Sequence, residues 1–568
     1  MSPNRRELLR KLGGAGAAVT GISVAGCTGD DGAEDRAVED DLPEERRVRE
    51  DLEYLINTER YDPDRYQSVE YITERLGETL GIDISVDATE IGVLVEREEN
   101  GEYDIVTYNW TTGDGDPHSI LMERFHSDGP RNHSGFSHSE FDDLAEQQAS
   151  ETDVDERQSL VFEAQRILGE QRQESQHLYN ENVKGYNSDR IDPDSIVVDP
   201  LTNGFPSIYN WVSMEPLNEE GQVLVTNNWD PSDQLNPFHH NARGPSRNNN
   251  PTSMMHDFLV RTDPNDFSPD PWAAEGWEWL SDTEIVVTLE SGMRFHDGEP
   301  VTADDVVWTF QTMMETEPPA YIAFVDPIES VEETGDDEVT FVLEEPFAPF
   351  LVSSLGEVPI LPRHYWENIL SETGNEDTPW EVVIDDDRPA IGSGPFQWGQ
   401  WDQGERFEMP AFEDHPFAAP NIETRVQRPL STRDAELEAL VQGQYDLLDY
   451  WFGDLNRLEE SVEENDHLTS VVHLDDSRQA AWLNLEREPF DDVAFRQAVN
   501  AVMTAANPVI VEEVYGGFGR RAISPINESI EFWHNPDTPV FDGEDVAVEL
   551  LEDAGYVWDS EGRLYHPE

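Results

Sequence analysis

A single cysteine, Cys27, stands in a chain of 568 residues, which excludes an intramolecular disulfide and any Cys-x-x-Cys metal or redox site. Lysine is almost absent too, with only Lys11 and Lys184. Long apolar runs are missing: Leu12 to Ala25 gives about 14 residues where a spanning helix needs about 18, so no membrane span is expected. The chain contains no GxSxG, no HExxH and no GxxxxGK[ST], and the run Gly13-Gly14-Ala15-Gly16 follows no strand. Neighbouring carboxylates such as Asp491-Asp492 carry little information among 122 acidic residues. No enzyme is expected, the rival being a secreted glycosidase that uses two of those carboxylates.

What the chain has in excess is acid. Lys and Arg total 36 against 122 Asp and Glu, a net charge of −86, spread over every segment after the first thirty residues. A dispersed charge of this size repels itself unless salt screens it, and the screening length falls to about 3 Å at 1 M salt. The composition therefore reads as a halophile surface, and it disfavours nucleic acid as a partner. With 37% apolar residues, 15 Trp and 24 Phe, the chain has ample core material and a length that implies two or more domains.

Residues 1–27 begin with Arg5, Arg6, Arg10 and Lys11, continue through a Gly/Ala-rich apolar stretch and end at Val24-Ala25-Gly26-Cys27. The layout is that of an export signal, with a twin-arginine start and a lipobox whose cysteine takes a lipid. Residues 28–48 are acidic and without apolar period, a tether. The expected location is the outer face of the cytoplasmic membrane, held by the lipid on Cys27.

Leu52-Glu53-Tyr54-Leu55-Ile56 predicts a buried strand. A helix from Pro63 with Val69, Ile72, Leu76 and Leu80 on one face should follow, then a strand on Ile82, Ile84 and Val86. Strand, helix, strand at this spacing predicts a parallel βαβ unit. A second helix is expected after Asp153. From Gln222 the pattern resets, with strands at Val223 to Thr226 and Ile285 to Leu289.

The stretch Met293-Arg294-Phe295-His296-Asp297-Gly298-Glu299-Pro300-Val301-Thr302-Ala303-Asp304-Asp305-Val306 closely resembles the signature of the family 5 solute-binding proteins of ABC importers. Ile391-Gly392-Ser393-Gly394-Pro395-Phe396, Pro489-Phe490-Asp491-Asp492-Val493 and Val548 to Tyr556 agree in order. The resemblance implies an α/β, two-lobed periplasmic-binding-protein-like (type II) fold with mixed sheets. Family members continue for about a third of their length beyond that last stretch, and Asn109-Trp110, Asp116-Pro117 and Phe125 to Gly129 resemble that missing portion at the front. The resemblance thus implies a circular permutation. It divides the chain into the second part of lobe II (49–185), a return segment and linker (186–221), lobe I (222–450) and the first part of lobe II (451–568).

The family binds peptides, nickel chelates or oligosaccharides between its lobes and passes them to a permease and ATPase complex. A peptide-like solute leads here, with oligosaccharide and nickel chelate as alternatives, no cofactor, and a monomer as the working unit. The resemblance places Trp110 in the cleft. An aspartate often stands three residues after that tryptophan to pair with a peptide amino terminus, but here the position is Gly113, and Asp114 is the substitute candidate. Trp229, Trp482 and Asn484 are further ligand-binding candidates, because aromatic faces and fixed polar groups suit a peptide or a sugar. Each tryptophan also fits an ordinary core position, and Asp114 to Pro117 a plain turn. His126, His133 and His138 with Asp128 could be read as metal ligands, but they lack helical ligand spacing, and no metal is expected. His239-His240 reads no better. Asn109, Asn132 and Asn527 each begin an N-x-S/T sequon.

Overall fold

The computed structural model describes residues 36–39, 42–111, 115–197, 207–227, 235–239, 251–264, 267–449 and 453–568. The apolar run after Asp51 forms strand β1 (Leu52–Asn57), and the next stretch forms the helix Pro63–Leu80. Asp62 caps that helix by accepting from the Arg65 N–H at 2.9 Å, and Pro63 fits its first turn, where no donor is needed. Val69, Ile72, Leu76 and Leu80 are buried as their spacing predicts. Gly81 ends the helix at φ 72°, a left-handed cap that glycine adopts without strain. Strand β2 (Ile84–Thr89) lies parallel to β1 with Leu52 opposite Ile84. The expected βαβ unit is therefore formed.

Strands β3 (Ile105–Thr111), β4 (Glu174–Asn187) and β5 (Leu468–Leu483) complete this sheet in the order β2-β1-β3-β5-β4. β1 to β3 are parallel, while β5 runs antiparallel to both β3 and β4. One face buries against the helices Pro63–Leu80, Val493–Val509 and Glu544–Asp553. On the other, Leu55 and Val106 pack with Leu94, Tyr103 and Trp482.

A second body carries two four-stranded sheets. One is antiparallel, made of Ala274–Ser281, Glu284–Leu289, Ile328–Gly335 and Glu338–Leu343. In the other, Val223–Thr226 lies parallel to Thr424–Gln427, followed by Arg406–Pro410 and Trp401–Asp402. A single core runs under both, including Leu224, Val287, Phe341, Trp366 and Phe407. Two stretches singled out in the sequence meet inside this body. The His296 N–H donates to the Gly392 carbonyl at 2.8 Å, and His296 Nε2 lies 3.0 Å from the Gly394 carbonyl oxygen. A β-carbon on Gly392 would fall 1.9 Å from the Met255 carbonyl oxygen, so the glycine is required by close backbone approach. These contacts tie the two motifs together inside the body.

The bodies are joined by β4 and β5, which pair over 14 and 16 residues. Their Glu174 and Leu483 ends belong to the five-stranded sheet. At the other ends Val183 and Leu468 share a core with Leu437, Leu440, Leu448 and Leu458. The change of body occurs partway along both strands, near the irregularity between Leu474 and Arg478.

Two further junctions are close-knit. The Val48 N–H donates to the Leu564 carbonyl at 3.0 Å and the His566 N–H to the Arg46 carbonyl at 2.7 Å. Ahead of the strand Val223–Thr226, the Asp192 N–H donates to the Glu215 carbonyl and the Leu217 N–H to the Arg190 carbonyl, both at 2.9 Å. No helix among the described residues is long and apolar enough to cross a membrane.

Candidate functional site

In open α/β sheets, ligands bind beyond the carboxyl ends of the parallel strands. Here those ends are Asn57, Thr89 and the Asn109–Thr111 end of β3. Beside β3, strand β5 departs from regular pairing between Leu474 and Arg478, as strands do where a side chain must be re-aimed.

Of the sequence-derived candidates, Cys27, Asp114 and Trp229 lie outside the described residues, and Trp110 is described only by its backbone, paired with Arg478. Trp482 is buried against Leu55, Tyr103 and Val106, with the Tyr108 ring edge-on at 4.2 Å. Its indole Nε1 donates to Glu174, and the Arg124 guanidinium lies 3.9 Å over its ring. Asn484 is buried as well, donating to the Gly101 and Tyr103 carbonyls at 3.1 and 3.0 Å and accepting from the Glu486 N–H. Its amide is used within the loop it closes.

The structure adds charged residues the sequence reading passed over. Arg478 donates to Glu174 through Nε at 2.7 Å and Nη2 at 3.1 Å, with both side chains buried. Burial works to raise the Glu174 carboxyl, but Arg478, Arg124 and the Trp482 indole together hold it below its usual range,. Arg157 forms a second buried fork with Asp116 at 2.7 and 2.6 Å. On the other body, Arg425 donates to Asp449 at 2.8 Å while lying over the Trp211 ring. The Asp449 N–H donates to Asn227. Burial pushes the Asp449 carboxyl up to about 6, against the pull of Arg425 and Lys184. Lys184, the only lysine beyond Lys11, is 0% exposed on β4. Its charge also acts on the buried Glu436.

The two bodies touch away from β4 and β5. The Ala348 N–H donates to the Ala149 carbonyl at 2.7 Å, the Phe347 ring meets His118 edge-on at 5.0 Å, and Phe267 enters the core of Ile120, Phe125 and Ile526. Burial lowers His118 to about 4 despite Asp116, so it is neutral against Phe347 near neutral pH.

The histidines weighed as metal ligands do other work. His138 caps the helix Ser139–Ser150, accepting from the Phe141 N–H at 3.2 Å, and His126 Nδ1 accepts from the Asp128 N–H at 3.1 Å. Among the described residues no group of three potential metal ligands occurs. Two of the three sequon asparagines are engaged as well: Asn527 is buried and donates to the Ser477 carbonyl, and Asn132 donates to the His126 and Phe136 carbonyls.

Compared with known proteins, residues 268–567 match the model of the bacterial extracellular solute-binding proteins, family 5 (middle region). The oligopeptide-binding protein AppA of Bacillus subtilis is 28% identical over 54% of this chain and 54% of its own length. The heme-binding protein A of Haemophilus influenzae is 28% identical over 50% and 54%. The chain spans about half the length of these curated relatives. The solved structure of the Bacillus subtilis protein with a nonapeptide is 23% identical, with a TM-score of 0.43 over 60% of this chain and 65% of that one.

Proposed function

The chain belongs to family 5 of the bacterial extracellular solute-binding proteins, a family of binding proteins and not of enzymes, and on that premise we propose that it captures a peptide-like solute between its two bodies. It then hands the solute to an ABC permease and its ATPases. It works as a monomer outside the cytoplasmic membrane, exported through the twin-arginine route and held by a lipid on Cys27. The observation that carries the reading is the family match over residues 268–567, in a chain whose two bodies are joined by the paired strands β4 and β5. Two bodies on a strand pair can close over a solute by hinge motion. Peptide is favoured because the Bacillus subtilis relative is named for oligopeptides, and the deep polar groups Arg478 and Asp449 suit a ligand with charged ends.

The test is to extract the protein from native membranes and identify what it carries by mass spectrometry. Bound peptides, on a chain that begins with lipid-modified Cys27, support the proposal. A protein that sits in the aqueous fraction, or that hydrolyses peptides or oligosaccharides in molar salt, overturns it.

The same proposal includes a circularly permuted order, with the family's terminal portion at 49–212 leading into its starting strand at 223. Two observations support it: the segment 46–48 is bonded to 564–566, and the linker before Val223 is bonded along 190–192. A link of about ten residues can close natural termini that lie near each other. Limited proteolysis should leave one compact species near full length. Rapid cleavage at 213–221 into two separable halves would sink the permuted order.

A further inference from the structure

Among the described residues, one guanidinium nitrogen of Arg478 has no hydrogen-bond partner. Nε and Nη2 are spent on Glu174, while Nη1 is buried and makes no hydrogen bond among the described residues. The residue as a whole is 1% exposed. A buried, charged donor without an acceptor is costly, and such groups in native proteins call for a partner.

The place of this nitrogen is informative. Arg478 pairs in register with Trp110, at the end of β3 where a solute is expected. It also sits at the irregular step of β5 where the chain passes from one body to the other. Its fork geometry is fixed from behind by Glu174, which takes the Trp482 indole as well, while Trp482 is covered by Arg124. Arg124 in turn donates to the buried Glu98 at 3.0 Å. The guanidinium therefore has no freedom to swing toward another protein acceptor without breaking a buried pair, which is strongly unfavourable.

The geometry points to Arg478 as a specificity-determining residue that receives a solute carboxylate on Nη1. This deepens the binding-protein reading and rests on it. A carboxylate fits better than a neutral carbonyl because a charge-assisted bond is roughly twice as strong as a neutral one. In a desolvated setting a guanidinium gains most from an ionised partner.

The test uses two pools of tri- to hexapeptides of the same random sequences, one as free acids and the other as carboxyl-terminal amides. Both are offered together to the full-length protein in molar salt, and the retained peptides are counted by mass spectrometry. The wild type should keep free acids over amides by tenfold or more. In Arg478→Lys, which keeps the charge beside Glu174 but loses the fork, the ratio should fall to near one. The paired variant Arg478→Gln with Glu174→Gln removes both charges together, leaves no lone buried ion, and should also give a ratio near one. Equal retention of acids and amides by the wild type overturns the inference, and so does a preference that survives in both variants. Failure of the wild type to keep peptides of either kind overturns the peptide reading itself, a result distinct from lost preference among retained peptides.

Discussion

Single residues decide how the two bodies meet. Asp64, in the first turn of the helix Pro63–Leu80, is held where burial, then Asp62, then Asp454 from the other body raise its carboxyl to about 7. Its unfolded value is near 3.8, so its contribution to stability is full below that pH and is lost as pH rises through 7. At pH 8 the ionised group opposes the fold; at pH 3 it does not. Asp64→Asn should therefore raise stability at pH 8 by about 2 kcal/mol, after allowance for its partial contact with solvent, and leave it unchanged at pH 3. Chemical denaturation at the two pH values measures this, and an equal effect at both would show that the carboxylate is not strained. At this scale the sequence was legible where chemistry is local, as with the Asp62 cap and the Gly81 stop. It was opaque where a partner lies far along the chain. Arg478 reads as a polar residue in an apolar strand until Glu174, 304 residues away, is seen beside it.

Elements were legible wherever period alone settles them. Val69, Ile72, Leu76 and Leu80 fix one face of a helix, and β1 and β2 flank it in parallel as that spacing requires. The signature around Phe295 was also visible, but its role was not. Its contacts with Gly392 and Gly394 show that it holds a core together, which no single stretch could reveal. The passage from one body to the other leaves no mark in the sequence for a physical reason. β4 and β5 are continuous strands whose apolar residues serve one core at one end and another at the other, so hydrophobicity does not change where the body changes. The candidate site inherits this difficulty. Trp482 and Asn484 were picked out as an aromatic and an amide on a strand, and the structure shows their polar atoms turned to Glu174 and to the Gly101 and Tyr103 carbonyls. Arg478, on the same strand as Trp482, and Lys184, at the far end of β4, act on carboxylates that lie hundreds of residues away in sequence.

For the whole molecule, the arrangement of contacts fixes what closing must involve. β4 and β5 tie the bodies on one side, and Phe347, Ala348 and Phe267 meet the other body elsewhere. Phe347 packs on the core of its own body and meets the other body edge-on at His118. An edge-to-face ring pair contributes about 0.5–1.5 kcal/mol beyond buried area, all of it available only when the bodies are together. Phe347→Ala should thus shift the balance toward the open form by roughly two- to tenfold and weaken solute binding by up to a similar factor. Small-angle scattering of the solute-free protein in molar salt should show a larger radius of gyration for the variant, and the two radii should converge at saturating solute. An unchanged radius with unchanged affinity would mean that Phe347 takes no part in holding the bodies closed, and that β4 and β5 alone set the balance between the open and closed forms.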